Sequence, residues 1–525
     1  KQMLLVMDNF EHILDGRALL AEINERAAKI TLLVTSRERL QLRGEQLFPL
    51  QGLEMADSED SAADSPAARL FLHIARRTVP DFQLLEGDAK HLLRICRLVE
   101  GMPLGLELAA SWAGLLPLTE IATEIEQDLQ LLAAEHHDVP QRHQSMQAAL
   151  DVSWRRLTSE QKRAFQELTV FRGGFTRAGA VGVAGATLPL LVTLANKSWL
   201  SYDRQRDRYH IHELLRQYGA GKLSADPAHK EEVRDRHSAY FCGYLQKREA
   251  DWYGPRQKEA ASAVRDEIEN IQRAWRRAAS QSDSVLLAQG MHSLCRYYLW
   301  DGRFIDGQHA CHLVGDGLSK SFAEQVIDAR LLALWALAFA WESEFVRDMA
   351  QKEALLAQSQ GLLDRATSAG RDTKLEQAFI FLRMAYAAGR RDYDEAIHVA
   401  NRGLDLFREL GVRWGEAELL GLLGNIFVFR GAFDRANDHL QNSLEIRQQL
   451  DDTQGIAQTM ISLAFCARDQ GNFEEAEKLH RQSLHLFQRL ENRRNEKIAL
   501  RLLAHSLSWA GKYQSAREAA WQALE

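Results

Sequence analysis

The strongest constraint on the fold is an internal repeat of 40 residues in the C-terminal part of the chain. Glycine recurs at this spacing at Gly431, Gly471 and Gly511. An aromatic residue follows each glycine by two positions, and alanine and leucine keep the same interval: Phe433, Phe473, Tyr513; Ala396, Ala436, Ala476, Ala516; Leu404, Leu444, Leu484, Leu524. Such a period predicts pairs of helices, in which glycine ends the first helix and the small alanine lets the second approach closely.

Stacked helix pairs of this kind make a curved solenoid with a concave face. The pattern resembles the longer tetratricopeptide repeats, and a degenerate earlier copy lies around Gly302, Phe304 and Gly307. We interpret the periodic aromatic residues and leucines as core packing rather than ligand contacts. The chain ends within a repeat, so we expect the native protein to continue beyond Glu525.

Composition indicates a helical, multidomain protein of the cytoplasm. A length of 525 residues exceeds a single hydrophobic core, and 46% hydrophobic residues with nine prolines favour helices. The net charge of -7 gives no general basic character for nucleic-acid binding. Apolar runs are too short to predict a membrane span. The five scattered cysteines form no C-x-x-C pair, which indicates free structural thiols in a reducing compartment.

The first fifty residues predict a strand, a helix, a second strand and then a short strand. An apolar run from Leu4 to Met7 ends at Asp8, residues 10–28 have helical spacing, and a second run, Ile30 to Val34, ends before Thr35-Ser36-Arg37. A helical crossover makes the strands parallel, so Asp8 and Arg37 emerge at the same sheet edge. A carboxylate and a cation there suit Mg²⁺ and a γ-phosphate. Alternatively, Asp8 or Asn9 caps the helix that begins near Phe10, and Arg37 is a solvated loop residue.

Helical segments then predict a lid from about Ser65 to Glu135, with a turn at Gly101-Met102-Pro103-Leu104. Proline fixes its own φ and keeps Met102 extended, so the turn presents a rigid apolar surface. Pro103 also suits the first position of a helix, and the two interpretations are compatible.

Residues 142–219 predict short helices followed by a hairpin over Lys197 to Ile211, the pattern of a winged helix. The segment ends in Ile211-His212-Glu213. Histidine can donate a hydrogen bond to phosphate near neutral pH, although it can equally close a strand before a helix. A DNA-binding role for this module is the less favoured alternative to an interdomain role.

In order and spacing, these motifs resemble the signal-transduction ATPases with numerous domains (STAND), the P-loop class that includes NB-ARC proteins and large bacterial transcriptional regulators. The resemblance extends to about Trp275. It implies that Asp8 is the catalytic Walker B aspartate holding Mg²⁺ through water, and that Arg37 senses the γ-phosphate of ATP. It also implies that Pro103 packs on adenine and that His212 contacts the β-phosphate of ADP.

Two departures qualify this resemblance. No G-x-x-x-x-G-K-[ST] phosphate loop occurs, and the first residue is Lys1, so we expect an N-terminally truncated fragment that is inactive alone. The alternative is a whole chain with a degenerate NTPase core. Asn9 replaces the acid that often follows the Walker B aspartate and cannot accept a proton, so at most a slow ATPase is expected.

The predicted fold class is mainly α: the C-terminal half of a P-loop α/β NTPase core, a helical lid, a winged helix and a TPR-like α-solenoid. The expected boundaries are 1–55 for the core, 56–140 for the lid, 141–225 for the winged helix, 226–300 for a helical connector and 301–525 for the repeats.

The predicted function is a regulatory switch with an ADP-locked off state and an ATP-bound, oligomerising on state. A protein or small-molecule inducer is expected at the solenoid, and DNA contact only through an upstream effector domain that controls transcription. No membrane partner is expected. The alternative function is a nucleotide-independent interaction scaffold whose NTPase core is vestigial.

Overall fold

The computed structural model describes residues 2–524 apart from 9, 11–12, 28, 37, 60, 80–81, 86, 115, 128–145 and 323–327. The described chain is mainly α-helical, as predicted. It divides into two compact units, Lys1–His237 and Ser238–Glu525, and the boundary falls inside one helix.

The first unit opens with a parallel pair of strands. Strands β1 (Met3–Met7) and β2 (Ile30–Val34) are joined through helix α1 (Arg17–Arg26), and their register runs from Met3 opposite Ile30 to Met7 opposite Val34. The predicted parallel pair is therefore confirmed. The helix begins later than expected, because Leu14–Gly16 forms a 3-10 turn in front of it.

The prediction of a short strand after β2 is wrong, because residues 38–56 contain no strand. The chain there instead contacts the turn at residues 100–101, where the Leu53 N–H donates to the Gly101 carbonyl at 2.8 Å. Gly52 permits this approach because a Cβ at this position would lie 2.0 Å from the Glu100 carbonyl oxygen. A single backbone contact of this kind replaces a strand ladder.

Four helices follow in the region predicted as a lid: α2 (Pro66–Thr78), α3 (Asp88–Leu98), α4 (Pro103–Ser111) and α5 (Leu118–Gln127). Pro66 occupies the first turn of α2, and the Ser65 hydroxyl accepts the Ala68 N–H at 3.3 Å as an N-cap. Glycines with positive φ precede α3 and α4, at Gly87 (φ 89°) and Gly101 (φ 66°).

The rest of the first unit contains short helices and a hairpin: α6 (Met146–Arg155), α7 (Ser159–Leu168), α8 (Arg177–Ala184), α9 (Leu188–Asn196), β3 (Ser201–Asp203), β4 (Arg208–His210) and α10 (Glu213–Ser224). The antiparallel hairpin is confirmed, with shorter arms than predicted. Phe175 adds an isolated bridge to Tyr209. Trp154, Phe165 and Trp199 pack edge to face at its core.

Helix α11 (Pro227–Gln246) carries the unit boundary. The second unit continues with α12 (Gln257–Asp266), α13 (Ile268–Ser280), α14 (Ser284–Asp301), α15 (Phe304–Phe322), α16 (Ala329–Phe345), α17 (Met349–Ser368), α18 (Lys374–Ala388), α19 (Tyr393–Glu409), α20 (Arg413–Phe429), α21 (Phe433–Gln449), α22 (Thr453–Asp469), α23 (Phe473–Arg489), α24 (Arg493–Trp509) and α25 (Tyr513–Leu524). These helices form a TPR-like α-solenoid.

The repeat prediction is confirmed in detail. Helices α21, α23 and α25 each begin at the aromatic residue of the pattern, and the preceding glycines have φ of 70°, 81° and 76°. This left-handed conformation ends a helix at little cost only in glycine. Ala436 and Ala476 are fully buried. The earlier, degenerate copy has the same form, since Gly302 (φ 72°) ends α14 and Phe304 begins α15.

Within the described part of the chain, no single helix has both the length and the apolar composition needed to cross a membrane. One pair, Arg177–Ala184 and Leu188–Asn196, meets that test only when taken together, and its halves are bent by 106°.

Close helix packing in the repeats predicts opposite effects for two glycine-to-alanine changes. A Cβ at Gly424 would lie 2.5 Å from Cγ of the buried Leu440, so Gly424→Ala should destabilise the solenoid by about 1–3 kcal/mol through overpacking. Gly361 lies inside α17 with nothing within 4 Å, so Gly361→Ala should stabilise it by about 0.5–1 kcal/mol. Urea unfolding followed by circular dichroism measures both, and equal shifts of the midpoint would contradict the packing account.

Candidate functional site

The first group of predicted site residues lies at the carboxyl edge of the β1–β2 pair. Asp8 follows β1 and Thr35 follows β2, and the Thr35 hydroxyl donates a hydrogen bond to the Asp8 carboxylate. Backbone hydrogen bonds from Thr35 to Met7 and from Phe10 to Thr35, both 2.9 Å, hold this edge together. Both side chains are exposed. Arg37 and Asn9 lie outside the described residues.

The second group begins at the turn before α4. Pro103 is the first residue of that helix and is exposed, and Met102 before it is extended (φ -66°, ψ 122°), as a residue that precedes proline should be. The helix-start interpretation is confirmed. A Cβ at Gly101 would lie 2.2 Å from the Leu53 carbonyl oxygen, so only glycine fits there. The turn therefore has a fixed backbone with an open proline face.

His212 lies at the N-terminus of α10, where its side chain caps the helix. The Leu214 N–H donates to Nδ1 of the imidazole at 3.2 Å. An Nδ1 that accepts a hydrogen bond carries no proton, so the proton of the neutral ring is on Nε2. The cap thus determines both the tautomer and the direction of the donor.

Glu100 joins the two segments. One carboxylate oxygen of Glu100 lies 3.3 Å from Nε2 of His212, and the other accepts the Glu213 N–H at 3.2 Å. The contact to Nε2 is close enough for electrostatic attraction but lacks the alignment of a hydrogen bond. Because Glu100 precedes Pro103 by three residues, the proline turn and the histidine lie side by side.

The environment of His212 favours the neutral ring. Burial lowers the pKa of His212 below its usual value, and the charges of Glu100 and Glu213 oppose that effect only in part. The imidazole is 20% exposed, whereas Glu100 is 46% exposed. Near pH 7 the ring therefore has one N–H, which lies close to a carboxylate that is partly open to solvent.

Glu213 anchors the start of α10 to its own unit. Its carboxylate accepts from Arg216 at 2.7 and 2.8 Å and from Arg172 at 3.2 Å. Burial raises the pKa of Glu213, but the hydrogen bond from Arg216 and the charges of Arg216 and Arg172 bring it below its usual value. The acid after His212 thus fixes the helix end, while Glu100 faces the donor.

Sequence reasoning missed Glu100 as a site residue. The available signal was an acid immediately before the Gly101 turn, but a charge beside a turn is usually solvated. What gives Glu100 its place is a contact over 113 positions of sequence, to the Glu213 N–H. Such a contact leaves no local pattern.

The less favoured DNA-binding role of residues 142–219 depends on the neighbouring basic residues Arg155, Arg156, Lys162 and Arg163, and one of them is paired within the protein. Arg163 donates to the buried Glu167 at 2.9 Å, and Arg236 contacts the same carboxylate at 2.6 Å. Lys197 donates to the Arg156 carbonyl at 3.2 Å. Arg163 therefore has an internal carboxylate partner, which it shares with Arg236, although its side chain is 67% exposed.

Comparison with known proteins supports the repeats most directly. The tetratricopeptide repeat family model matches residues 455–525. Proteins of Mycobacterium tuberculosis and Mycobacterium bovis that are provisionally named HTH-type transcriptional regulators are 29% identical over 316 residues. That match covers 58% of this chain but only 34% of the relative, so the chain spans about a third of these relatives. An uncharacterized M. tuberculosis protein is also 29% identical, over 42% of this chain and 58% of its own length.

Among solved structures, a STAND protein with a tetratricopeptide repeat sensor from Pyrococcus horikoshii is 14% identical, covering 96% of this chain and 71% of its own, with a TM-score of 0.40. Aspartyl phosphate phosphatase F from Bacillus subtilis is 10% identical, covering 90% and 95%, with a TM-score of 0.41. The fold class, a mainly α protein with a TPR-like solenoid, rests on the observed helices and on the match to the repeat family model.

The contact between Glu100 and His212 predicts a specific response to Glu100→Gln. The carboxylate raises the pKa of His212, so its removal should lower that pKa further. NMR titration of ¹⁵N-histidine-labelled protein measures the shift, and at pH 7 it should also find the proton on Nε2. A pKa of His212 that rises in Glu100→Gln would contradict the assigned contact.

The sign of the linked stability follows from the same direction. Because the folded pKa of His212 lies below 6.5, the unfolded chain takes up the proton first as the pH falls. The stabilising contribution is present above about pH 6.5 and is lost as the pH falls through the folded pKa.

Proposed function

We propose that this protein is a signal-responsive nucleotide switch of the STAND type, in which ADP holds the off state and ATP the on state. The observation that carries the proposal is the convergence of the Pro103 turn with the Nε2–H of His212, through Glu100. By the resemblance, these two residues contact opposite ends of ADP, the base and the β-phosphate. In this proposal, the NTPase core is formed by residues 1–55, the lid by residues 56–140 and the winged helix by residues 141–225.

The chemistry at His212 fits a phosphate. The Nε2–H of His212 and the Glu213 N–H at the start of α10 are two donors that already share one anion, the Glu100 carboxylate. A helix N-terminus favours negative charge through its free N–H groups and its dipole. A phosphate oxygen can therefore use the same donors once the partly exposed Glu100 swings away.

The edge beyond β1 fits a magnesium ion. Mg²⁺ prefers oxygen ligands, keeps several waters and binds through one or two carboxylates together with nucleotide phosphates. Asp8 supplies an exposed carboxylate, and the Thr35 hydroxyl orients it. We infer that Asp8 holds Mg²⁺ through water, that Arg37 contacts the γ-phosphate of ATP, and that turnover is slow because residue 9 is asparagine.

The solenoid is the proposed sensor. Its match to the tetratricopeptide repeat model supports a role in binding a protein or small-molecule inducer. An inducer opens the switch only if it binds the ATP state more tightly than the ADP state. The names of the mycobacterial relatives support transcriptional control as the output. We propose a cytoplasmic protein that self-associates in its ATP state and reaches DNA only through an effector domain.

Two substitutions at His212 separate phosphate contact from helix capping. His212→Ala removes the Nε2–H and the N-cap, whereas His212→Asn keeps a side-chain oxygen that caps helices well but replaces the imidazole by a shorter amide that does not extend to the Nε2 position. Both variants should lose ADP retention and give constitutive output, while only His212→Ala should also lose about 1 kcal/mol of helix stability. The measurement is nucleotide content after desalting of protein expressed from its own gene.

The exposed His398→Ala provides a matched control that should retain ADP. Retention of ADP in His212→Asn would contradict the proposed contact between His212 and the β-phosphate. Loss of ADP in His398→Ala would show that the assay reports general damage.

A substitution of Glu100 tests the competition between carboxylate and phosphate. Glu100→Gln keeps the size of the side chain and removes its charge, so ADP should bind several-fold more tightly, because no anion has to be displaced. Calorimetric titration of nucleotide-free protein measures this change. Weaker ADP binding in Glu100→Gln would mean that the carboxylate assists the nucleotide instead of competing with it.

A further inference from the structure

The second unit contains a cavity of about 860 Å³ that lies among the repeat helices. Residues from α14, α18, α20 and α22 line it, including Arg296, Arg383, Glu418 and Gln458. Cavities of about 300–1,000 Å³ are typical of small-molecule sites. Its volume therefore suits a compact ligand better than an extended protein segment.

Three arginines form the deep part of the cavity around one carboxylate. Arg447 lies 3.3 Å from Glu418, and the charges of Arg447, Arg296 and Arg383 together hold the pKa of Glu418 low although burial raises it. Arg383 also lies 3.3 Å from Glu344. The side chains of Arg383 and Arg447 are only 8% and 4% exposed. Such burial of guanidinium groups is uncommon without full pairing.

The pairing within the cavity is incomplete. The buried Nε atoms of Arg383 and Arg447 have no hydrogen-bond partner among the described residues. The carboxylates among the lining residues are Glu344 and Glu418, and Asp452, which is not a lining residue, interacts electrostatically with Arg296. The lining cations are Arg296, Arg347, Lys352, Arg383, Arg390, Arg447 and Arg494.

The pKa of Lys352 reflects the excess of positive charge in the lining of the cavity. Burial lowers the pKa of Lys352, Glu344 raises it, and the charges of Arg390 and Arg383 lower it further, so the net direction is down. Mutual repulsion of cations costs stability in the empty protein. An excess of this kind is compensated when an anion binds.

The walls of the cavity are aromatic and apolar as well as basic. Trp300, Tyr386, Trp414 and Phe465 are among the lining residues. The Tyr386 hydroxyl donates a hydrogen bond to Glu418 at 3.2 Å. Flat rings of this kind pack against the body of a ligand, while arginine forks take its planar acidic groups.

We propose that this cavity binds a small ligand that carries at least two acidic groups, carboxylate or phosphate, on a flat or apolar body. The deep guanidinium groups of Arg383 and Arg447 take one acidic group, and the rim cations Lys352 and Arg390 take the other. The role of this ligand as the inducer rests on the proposed function, but binding of the ligand does not depend on any nucleotide.

The test is calorimetric titration of the 525-residue chain with citrate and, separately, with pyrophosphate, each against sodium chloride of matched ionic strength. At least one anion should bind, and the pair distinguishes a carboxylate site from a phosphate site. Lys352→Gln should weaken binding by roughly tenfold, as loss of one charge-assisted hydrogen bond predicts. The exposed Arg489→Gln on α23 is the matched control and should bind as the parent does.

Two further readouts separate a ligand contact from a structural role and from the His212 region. The thermal midpoint of ligand-free Lys352→Gln should stay equal or rise, because repulsion is relieved, whereas loss of a structural lysine lowers it. His212→Asn should bind the anion normally. The proposal is overturned if neither anion exceeds the salt control or if Arg489→Gln weakens binding as much as Lys352→Gln does. The titration does not depend on bound nucleotide. If the proposed nucleotide switch is wrong, the anion-binding result therefore still stands or falls by itself.

Discussion

The hydrogen bond from the Leu214 N–H to Nδ1 of His212 determines the chemistry of the candidate site. A neutral imidazole can donate through either nitrogen, and this cap leaves Nε2 as the only donor. The same bond fixes the ring at the first turn of α10, beside the Glu213 N–H. Without this hydrogen bond, the imidazole could rotate or change tautomer, and Nε2–H would no longer be held near the Glu100 carboxylate.

Glu100 gives the site two alternatives with similar chemistry. Its carboxylate accepts the Glu213 N–H and lies 3.3 Å from Nε2 of His212, so it occupies the place that a phosphate would take. A buried donor without a partner costs about 1–3 kcal/mol, so the hydrogen bond from the Glu213 N–H to Glu100 is favourable. In the proposed switch, a nucleotide phosphate replaces the Glu100 carboxylate and thereby acts on the Pro103 turn, because Glu100 and Pro103 lie in the same turn.

Much of the fold was predictable because it depends on local, repeated constraints. The 40-residue period fixed where helices begin, since the positive φ of Gly431 and its equivalents and the burial of Ala436 recur in each pair. The strand edge beyond Asp8 followed from two apolar runs and one helix. The late start of α1 was not predictable, because a 3-10 turn at residues 14–16 and a helical turn have similar apolar spacing. Contacts between distant segments, such as Glu100 with Glu213 and Arg447 with Glu418, leave no periodic signal.

The most direct measurement is the nucleotide content of the purified protein, expressed from its own gene, after denaturation and separation by chromatography with mass spectrometry. If His212 contacts the β-phosphate of bound ADP, the purified protein should contain ADP in a roughly one-to-one ratio. Absence of nucleotide, together with no uptake of added ATP or ADP at millimolar concentration, would contradict the switch and favour a repeat scaffold that acts without nucleotide.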